Sequence, residues 1–428
     1  MRDKKKLRST AFASMILVFI LLISILPAAL AASAQNNAHT VNESKIYISE
    51  LNETLITTNE SDQSYPAIYG DRIVWTDERN GNSDIYMYNI STSTETRITT
   101  SESNQTWPTV HGNRIVWMDD RNGNFDIYMY DLSTSRETQI TTNESDQEYP
   151  IIYGDRIVYN DGRSGGSINA DEEYEGNWDI FMYDLSTSKE SQITTSEFGQ
   201  YYPYIHGDRI VWEDNRNGNH DIYMYDLSTS TETRLTTSEL NQELPFIYGD
   251  RIVWMDWRNG NKLEDKNADV YMYDLSASKE IQITTNESNQ KWSTPIYGDR
   301  IVWEDDRNGN TDIYMYNLSS SVETRITANE SNQSTPAVYD DKIVWWDDRN
   351  GNPDIYMCTV SEAIVKEAGT ENEPANDAQD TEQDNRAPGN EEGQKPETGK
   401  IASIPGFEAV YVLASFLTVF RHKRKIKN

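Results

Sequence analysis

The chain has one cysteine, Cys358, and five histidines in 428 residues. A disulfide framework needs paired thiols, and a structural zinc site needs several thiolates or imidazoles together, so neither staple is expected. Positive charge is also scarce: 38 lysines and arginines stand against 70 aspartates and glutamates, a formal net charge of −32. Such a chain repels phosphate backbones, which argues against nucleic acid as a partner and leaves cations, glycans and basic proteins. No His-Glu-x-x-His run and no sialidase-type Asp-box occurs, and the single Gly-x-Ser-x-Gly run, Gly162 to Gly166, lies in a glycine-rich turn, so no catalytic residue is assigned.

Long apolar runs occur only at the two ends. Lys4, Lys5, Lys6 and Arg8 precede an apolar stretch from Ala11 to Leu26 and then small residues through Ala34. That order reads as a secretory signal over residues 1–34. At the other end, residues 361–400 hold eleven acidic and four basic residues and no aromatic one. Too little apolar surface is available there to fold, and the segment reads as an acidic disordered linker. Residues 401–428 follow with Pro405, Gly406 and Phe407, an apolar stretch from Ala409 to Phe420, and a basic tail of Arg421, Lys423, Arg424, Lys425 and Lys427. This order resembles the Pro-Gly-Phe sorting signal of archaeal surface proteins, in which an archaeosortase exchanges the tail for a lipid. An ordinary membrane-spanning anchor is the alternative, and both place the body outside the cell, held at the membrane by its C-terminus.

Between the ends the chain repeats. Gly70-Asp71-Arg72-Ile73-Val74-Trp75 recurs at Gly112, Gly154, Gly207, Gly249, Gly298 and Asp340, with spacings of 42, 42, 53, 42, 49 and 42 residues. That period suits four-stranded propeller blades and not ankyrin or tetratricopeptide units. Within a unit, Pro66 to Tyr69, Arg72 to Thr76, Asp84 to Asn89 and Glu95 to Thr99 read as strands A to D, separated by turn residues such as Asn80-Gly81. Strands B and C are apolar without a polar alternation, which implies burial on both faces. The last unit stops after strand C, whereas Glu53 to Thr57, before the first unit, has the pattern of strand D. A ring in which the N-terminal strand completes the seventh blade leaves no edge bare. The expected fold is all-β, a seven-bladed β-propeller of four-stranded antiparallel blades spanning 35–360.

The run Trp303-Glu304-Asp305-Asp306-Arg307-Asn308-Gly309-Asn310-Thr311-Asp312-Ile313-Tyr314-Met315-Tyr316 resembles the TolB-like, WD40-like propeller repeat. The resemblance extends over residues 46 to 360. It departs from that family in having Tyr-Gly-Asp where Ser-Pro-Asp-Gly is usual and in lacking TolB's α/β companion domain, which removes the main reason to expect TolB's envelope role.

Residues that recur in every unit are expected to be architectural. They include the Asp-x-Arg pairs Asp77/Arg79 through Asp347/Arg349 and the Asp that opens strand C. The glutamines from Gln63 to Gln333 belong with them as caps of the D-to-A crossover backbone. His111 and His206 stand where other units have tyrosine and read as strand A substitutions. The turn Asp120-Arg121-Asn122-Gly123-Asn124-Phe125-Asp126 offers oxygens at alternate positions, as a calcium loop does. Its glycine is at the fourth position rather than the sixth, the distant bidentate Glu is missing, and it reads as an Asn-Gly hairpin turn, so no metal site is assigned. Cys358 replaces a tyrosine of the last strand C and reads as a buried free thiol. Ten sequons, from Asn42 to Asn332, fit a glycosylated exterior.

Function is sought where units differ. Both long insertions lie in B-to-C connections, which share one face of the disc. One carries Asp171, Glu172, Glu173 and Tyr174 beside Trp178; the other carries Asp265 near Trp257. Aromatic rings beside carboxylates suit sugars, stacking on the apolar ring face while acids accept hydroxyl protons. The expectation is a monomeric cell-surface binding, adhesion or envelope-structural module for cell-wall glycan or surface proteins. The alternative is a carbohydrate-active propeller lyase or hydrolase.

Overall fold

A computed structural model describes residues 44–168, 174–260, 267–291 and 294–366. The chain divides after Gly369, and the second unit, Thr370–Asn428, lies outside the described residues together with 1–43. The expected signal of residues 1–34 and sorting motif Pro405-Gly406-Phe407 therefore fall outside them, as does most of the 361–400 linker. No helix among the described residues is long and apolar enough to cross a membrane.

Seven antiparallel sheets, each with four successive strands A to D, make the propeller. In the first blade, A is Gln63–Tyr69, B Arg72–Asp77, C Asp84–Asn89 and D Thr94–Arg97. Strand B is buried at every position after its first. The reason is visible in the cores, each of which is shared by two neighbours: Val74, Ile85 and Met87 of blade 1 pack with Ile115, Trp117 and Tyr128 of blade 2. The same sharing joins Ile73 and Trp75 of blade 1 to Val344, Ile355 and Met357 of blade 7, so the ring is closed.

Closure is made by Ser44–Leu55, which pairs antiparallel with strand C of blade 7, Asp354–Lys366. Both strands run beyond what the repeat pattern implies. Leu55 to Asn52, opposite Tyr356 to Thr359, occupy the place of an ordinary strand D, and Leu51 to Ser44 continue the pairing as a ribbon to Lys366. The ordered strand thus passes Val360, where the propeller was expected to end. An extended edge finds a partner on the neighbouring strand, and that pairing satisfies backbone groups that composition alone left to solvent.

Strand A is the innermost strand and carries a bulge, with register shifting between Ser64 and Ala67 in blade 1. Pro66 lies in that bulge, where no ladder N–H is needed. Burial then alternates along the strand: Pro66 and Ile68 are buried, Tyr65, Ala67 and Tyr69 half-buried, and Ala67 and Tyr69 pack against the core shared with blade 2. In blade 6 strand A is split into Gln290–Lys291 and Ile296–Tyr297, both pairing with strand B, Arg300–Asp305.

Candidate functional site at the axial mouth

The recurring residues assemble one structural stack per blade. In blade 1 the fully buried Trp75 indole donates to Asp77 Oδ2 at 3.0 Å and lies parallel to Tyr86, with ring centroids 6.1 Å apart. Arg79 grips Asp77 through Nε at 2.8 Å and NH2 at 2.6 Å, and its guanidinium sits 4.2 Å above the Tyr86 ring. Asn80 closes the turn by donating to Asp84 and to the Tyr86 hydroxyl, both at 2.9 Å. The guanidinium lies over a ring in all seven blades. Bidentate pairing plus cation–π stacking anchors the B-to-C turn and occupies these carboxylates.

The turn considered for calcium is engaged in the same manner. Asp120 accepts from the Asn104 backbone N–H at 2.8 Å and side-chain amide at 3.0 Å, and Asn122 and Asn124 donate to Asp126 and to backbone carbonyls. Each glutamine also acts as expected: the Gln105 amide donates to the Ser103 carbonyl at 2.8 Å in the crossover, while its backbone N–H reaches the Ser83 carbonyl of the preceding blade.

Along the axis the two ends of strand A differ. At its C-terminal end, Tyr69, His111, Tyr153, His206, Tyr248, Tyr297 and Tyr339 form an unbroken collar with neighbouring centroids 4.5–4.9 Å apart. His111 and His206 belong to it structurally: each Nδ1 accepts a backbone N–H, from Gly154 and Gly249, at 3.2 Å. Burial, with help from nearby Arg114 and Arg209, pushes both imidazoles down, toward neutrality.

At the N-terminal end, on the face of the B-to-C and D-to-A connections, lies a second, irregular tier. Tyr65 stacks on Trp107 with centroids 3.9 Å apart, Trp107 meets Tyr149 edge-on at 4.8 Å, and Tyr149 meets Tyr202 edge-on at 5.0 Å. Leu244 and Thr335 hold the equivalent positions of blades 5 and 7. All six have φ between +48° and +55°. For a residue with a Cβ that conformation costs roughly 1–2 kcal/mol, and such outliers concentrate where side chains must be aimed. The bulge imposes the conformation, and the following proline bars the right-handed helical alternative. In blades 1 to 4 it turns four aromatic rings toward the mouth.

Carboxylates stand beside this arc. Glu213, nearly buried, accepts the Leu244 N–H at 3.0 Å through Oε2 and lies 3.1 Å from His220 Nδ1 through Oε1. Burial opposes a charged imidazole, but the bond to Glu213 and the surrounding carboxylates prevail, and the His220 pKa is pushed up to about 9. Glu243 accepts the Trp257 indole N–H at 2.9 Å and the Asn241 amide at 2.8 Å, and burial reinforced by the Glu213 charge raises its carboxyl. Burial foremost, then the charges of Tyr149, Glu213, Glu148 and Glu243, raises the Tyr202 phenol. Across the ring, Glu304 accepts Ser334 Oγ and the Thr335 N–H, both at 2.7 Å, and burial pushes its pKa up to about 7. No group of three metal-ligating side chains able to hold an ion occurs among the described residues.

Of the residues singled out from sequence, Trp257 is brought to this site, half-buried and bonded to Glu243. Trp178 is not available to a ligand. It is fully buried beneath its own insertion, its indole donating to the Ser167 carbonyl at 3.3 Å, and a Cβ on Gly166 would lie 2.6 Å from its ring. The indole fills space beside blade 3, where Tyr159 and Phe181 replace the usual Trp and Tyr. Asp171, Glu172, Glu173 and Asp265 lie outside the described residues, and of Tyr174 only the backbone is described, pairing with Ile168. The arc itself was missed by sequence reasoning, although an aromatic residue precedes proline at Pro66, Pro108, Pro150 and Pro203. A groove of ≈ 290 Å³ on the opposite face, between blades 2 and 3, is polar and spanned by the Arg114–Asp155 ion pair at 2.6 Å.

No protein-family model matches the chain, and no curated protein matches it. Solved structures do share its fold. An oligogalacturonate lyase from Vibrio parahaemolyticus aligns at 12% identity with a TM-score of 0.56, covering 74% of this chain and 98% of its own. The β-propeller domain of the Trilobed protease from Pyrococcus furiosus aligns at 14% identity and 0.54, covering 74% and 100%. A putative TolB from Agrobacterium tumefaciens aligns at 15% identity with a TM-score of 0.41, covering 56% and 88%. The likeness to the first two, at 12–14% identity, establishes the fold alone, and the chain is a β-propeller.

Proposed function

We propose that this propeller is an exported, surface-tethered binding module that holds a saccharide at its axial mouth. The observation that carries the reading is the arc Tyr65, Trp107, Tyr149 and Tyr202, held in left-handed backbone beside Glu148, Glu213 and Glu243. Stacked rings accept the apolar face of a pyranose, and carboxylates accept its hydroxyl protons. Asp171, Glu172, Glu173, Tyr174 and Asp265, which belong to the insertions of B-to-C connections, are proposed to contribute contacts to the same saccharide. Export and tethering rest on residues 1–34 and on Pro405, Gly406 and Phe407. A glycan array probed with the full chain tests the reading. At least one surface polysaccharide should bind, Trp107→Ala should weaken it at least tenfold, and unchanged affinity in that variant removes the mouth as the site.

A second reading is a polysaccharide lyase or hydrolase. It is favoured by the Glu213–His220 pair beside a raised Glu243, an arrangement that offers an acid and a base in one cluster, and by the fold shared with an oligogalacturonate lyase. Release of reducing or unsaturated ends from purified wall polymer, lost in Glu243→Gln, distinguishes it from binding alone.

A further inference from the structure

The sequons of this chain are alike as triplets, but the fold presents them in different ways. At Asn59, Asn143, Asn286 and Asn329 the triplet lies wholly within a D-to-A crossover, ahead of strand A. Each Oδ1 accepts the backbone N–H of the serine two residues on, at 3.0, 3.0, 2.9 and 3.0 Å. That turn folds the amide back toward the hydroxyl-bearing residue. Among the described residues the four Nδ2 atoms donate to no protein group, none of them is buried, and the residues flanking each asparagine are exposed. Three of the four turns are also braced. One side-chain amide of the preceding blade, Asn352, Asn124 or Asn310, donates to the carbonyls of both the asparagine and the serine at 2.7–3.3 Å.

Other sequons lack this presentation. In Asn104-Gln105-Thr106 and Asn332-Gln333-Ser334 the third residue already belongs to strand A. Their Oδ1 atoms accept the N–H of Ser83 and Thr311 in the preceding blade, at 3.3 and 3.2 Å. The hydroxyls are engaged between blades, Thr106 with Thr76 at 3.4 Å and Ser334 with Glu304 at 2.7 Å. Asn317 is only 5% exposed, which leaves no room for a sugar on its amide.

We infer that Asn59, Asn143, Asn286 and Asn329 are N-glycosylated and that Asn104, Asn317 and Asn332 are not. The inference rests on the export in the reading above, and the co-reactant is a glycan activated on a lipid phosphate. A bond forms from Nδ2 to the anomeric carbon, the bond from that carbon to the phosphate oxygen breaks, and the lipid phosphate leaves with the electron pair. The amide gives up one of its two protons to a base of the transferase. The sugars then stand on the face of the mouth, at the crossovers into blades 1, 3, 6 and 7. Into blades 4 and 5 the asparagine is replaced by Ser196 and Ser238 and the serine by Phe198 and Leu240, so those two crossovers, with Phe198 53% exposed, stay uncovered.

Glycopeptide mass spectrometry of the full chain, purified from the cells that make it, tests this. Peptides holding the four crossover asparagines should carry a glycan, and those holding Asn104, Asn317 and Asn332 should be bare. Asn286 should be the least occupied of the four, because the Ser288 hydroxyl is also donated to Asp305 at 2.9 Å. Ser145→Ala should lose the glycan of Asn143 and Ser145→Thr should keep it, with the other three sites unchanged as the control for folding. A bare Asn59, Asn143 or Asn329 overturns the inference, as does a glycan on Asn104, Asn317 or Asn332. The same digest reads export separately: bare crossovers in a chain that begins near residue 35 overturn the inference alone, whereas bare crossovers in a chain that retains residues 1–34 remove the export reading as well.

Discussion

The two ends of the central channel are built from the same strand, and they obey different rules. At the collar, seven blades contribute seven tyrosines and histidines in ordinary backbone, each ring tilted against the next. At the mouth, the equivalent tier is Tyr65, Trp107, Tyr149, Tyr202, Leu244 and Thr335, all in left-handed backbone, with carboxylates concentrated at blades 3 to 5. What repeats supports the ring; what varies under strain is aimed at something. The same contrast separates the Asp-Arg stacks, repeated in every blade, from the Glu213–His220–Glu243 cluster, which occurs once among the described residues.

The largest effect should come from the stack on which both ends stand. Trp212→Ala removes a fully buried indole, its bond to Asp214 and its place in the blade 3–4 core, and should cost about 3–5 kcal/mol in urea denaturation. A wild-type midpoint for that variant contradicts the shared-core account.

Next is Glu304, whose folded pKa of about 7 stands above its ordinary value. A carboxyl that holds its proton more tightly when folded leaves the unfolded chain with fewer protons between pH 4.5 and 7. Stability therefore falls as pH rises through that window, by up to about 3 kcal/mol. Glu304→Gln keeps an acceptor for Ser334 and Thr335 and should flatten this slope. Melting temperatures of the two proteins at pH 4 and pH 8 check it, and parallel slopes would show that the carboxyl ionises freely.

A glycine scan sharpens the comparison of the two channel ends directly. Leu244→Gly relieves the left-handed backbone and should stay within about 1 kcal/mol of wild type, the relief offsetting the lost side chain. Tyr248→Gly, in the same strand but in the collar, has no strain to relieve and should cost about 2–4 kcal/mol. Equal losses at both positions mean the strain is not stored where the dihedrals place it.

The smallest effect belongs to the bridges that join blades on the collar face. Arg209 meets Asp250 at 2.6 Å, but the pair is largely exposed, and Arg209→Ala should change stability by less than about 1 kcal/mol. A loss of several kcal/mol would mean the collar face is far less solvated than it looks.

Much of this molecule could be read before any coordinates. The 42-residue period, the unbroken apolar runs of strands B and C, and the missing last strand D require seven doubly buried sheets and a borrowed edge, because an unpaired strand and a half-covered face are both unfavourable in water. Those are local and compositional constraints, and repetition states each of them seven times. The mouth was hidden for the opposite reason. Tyr65, Trp107, Tyr149 and Tyr202 look like ordinary strand residues until a bulge turns their backbone left-handed, and Glu213 and Glu243 are two carboxylates among seventy acidic residues until ring closure sets adjacent blades side by side. Trp178 illustrates the same limit in reverse: an indole in a long loop reads as a ligand platform, and only packing against Gly162 and Gly166 makes it part of the interior. Chain chemistry determined how many sheets there are and how they close; which side chains meet at the axis was decided by backbone geometry across blades that the linear order keeps some forty residues apart.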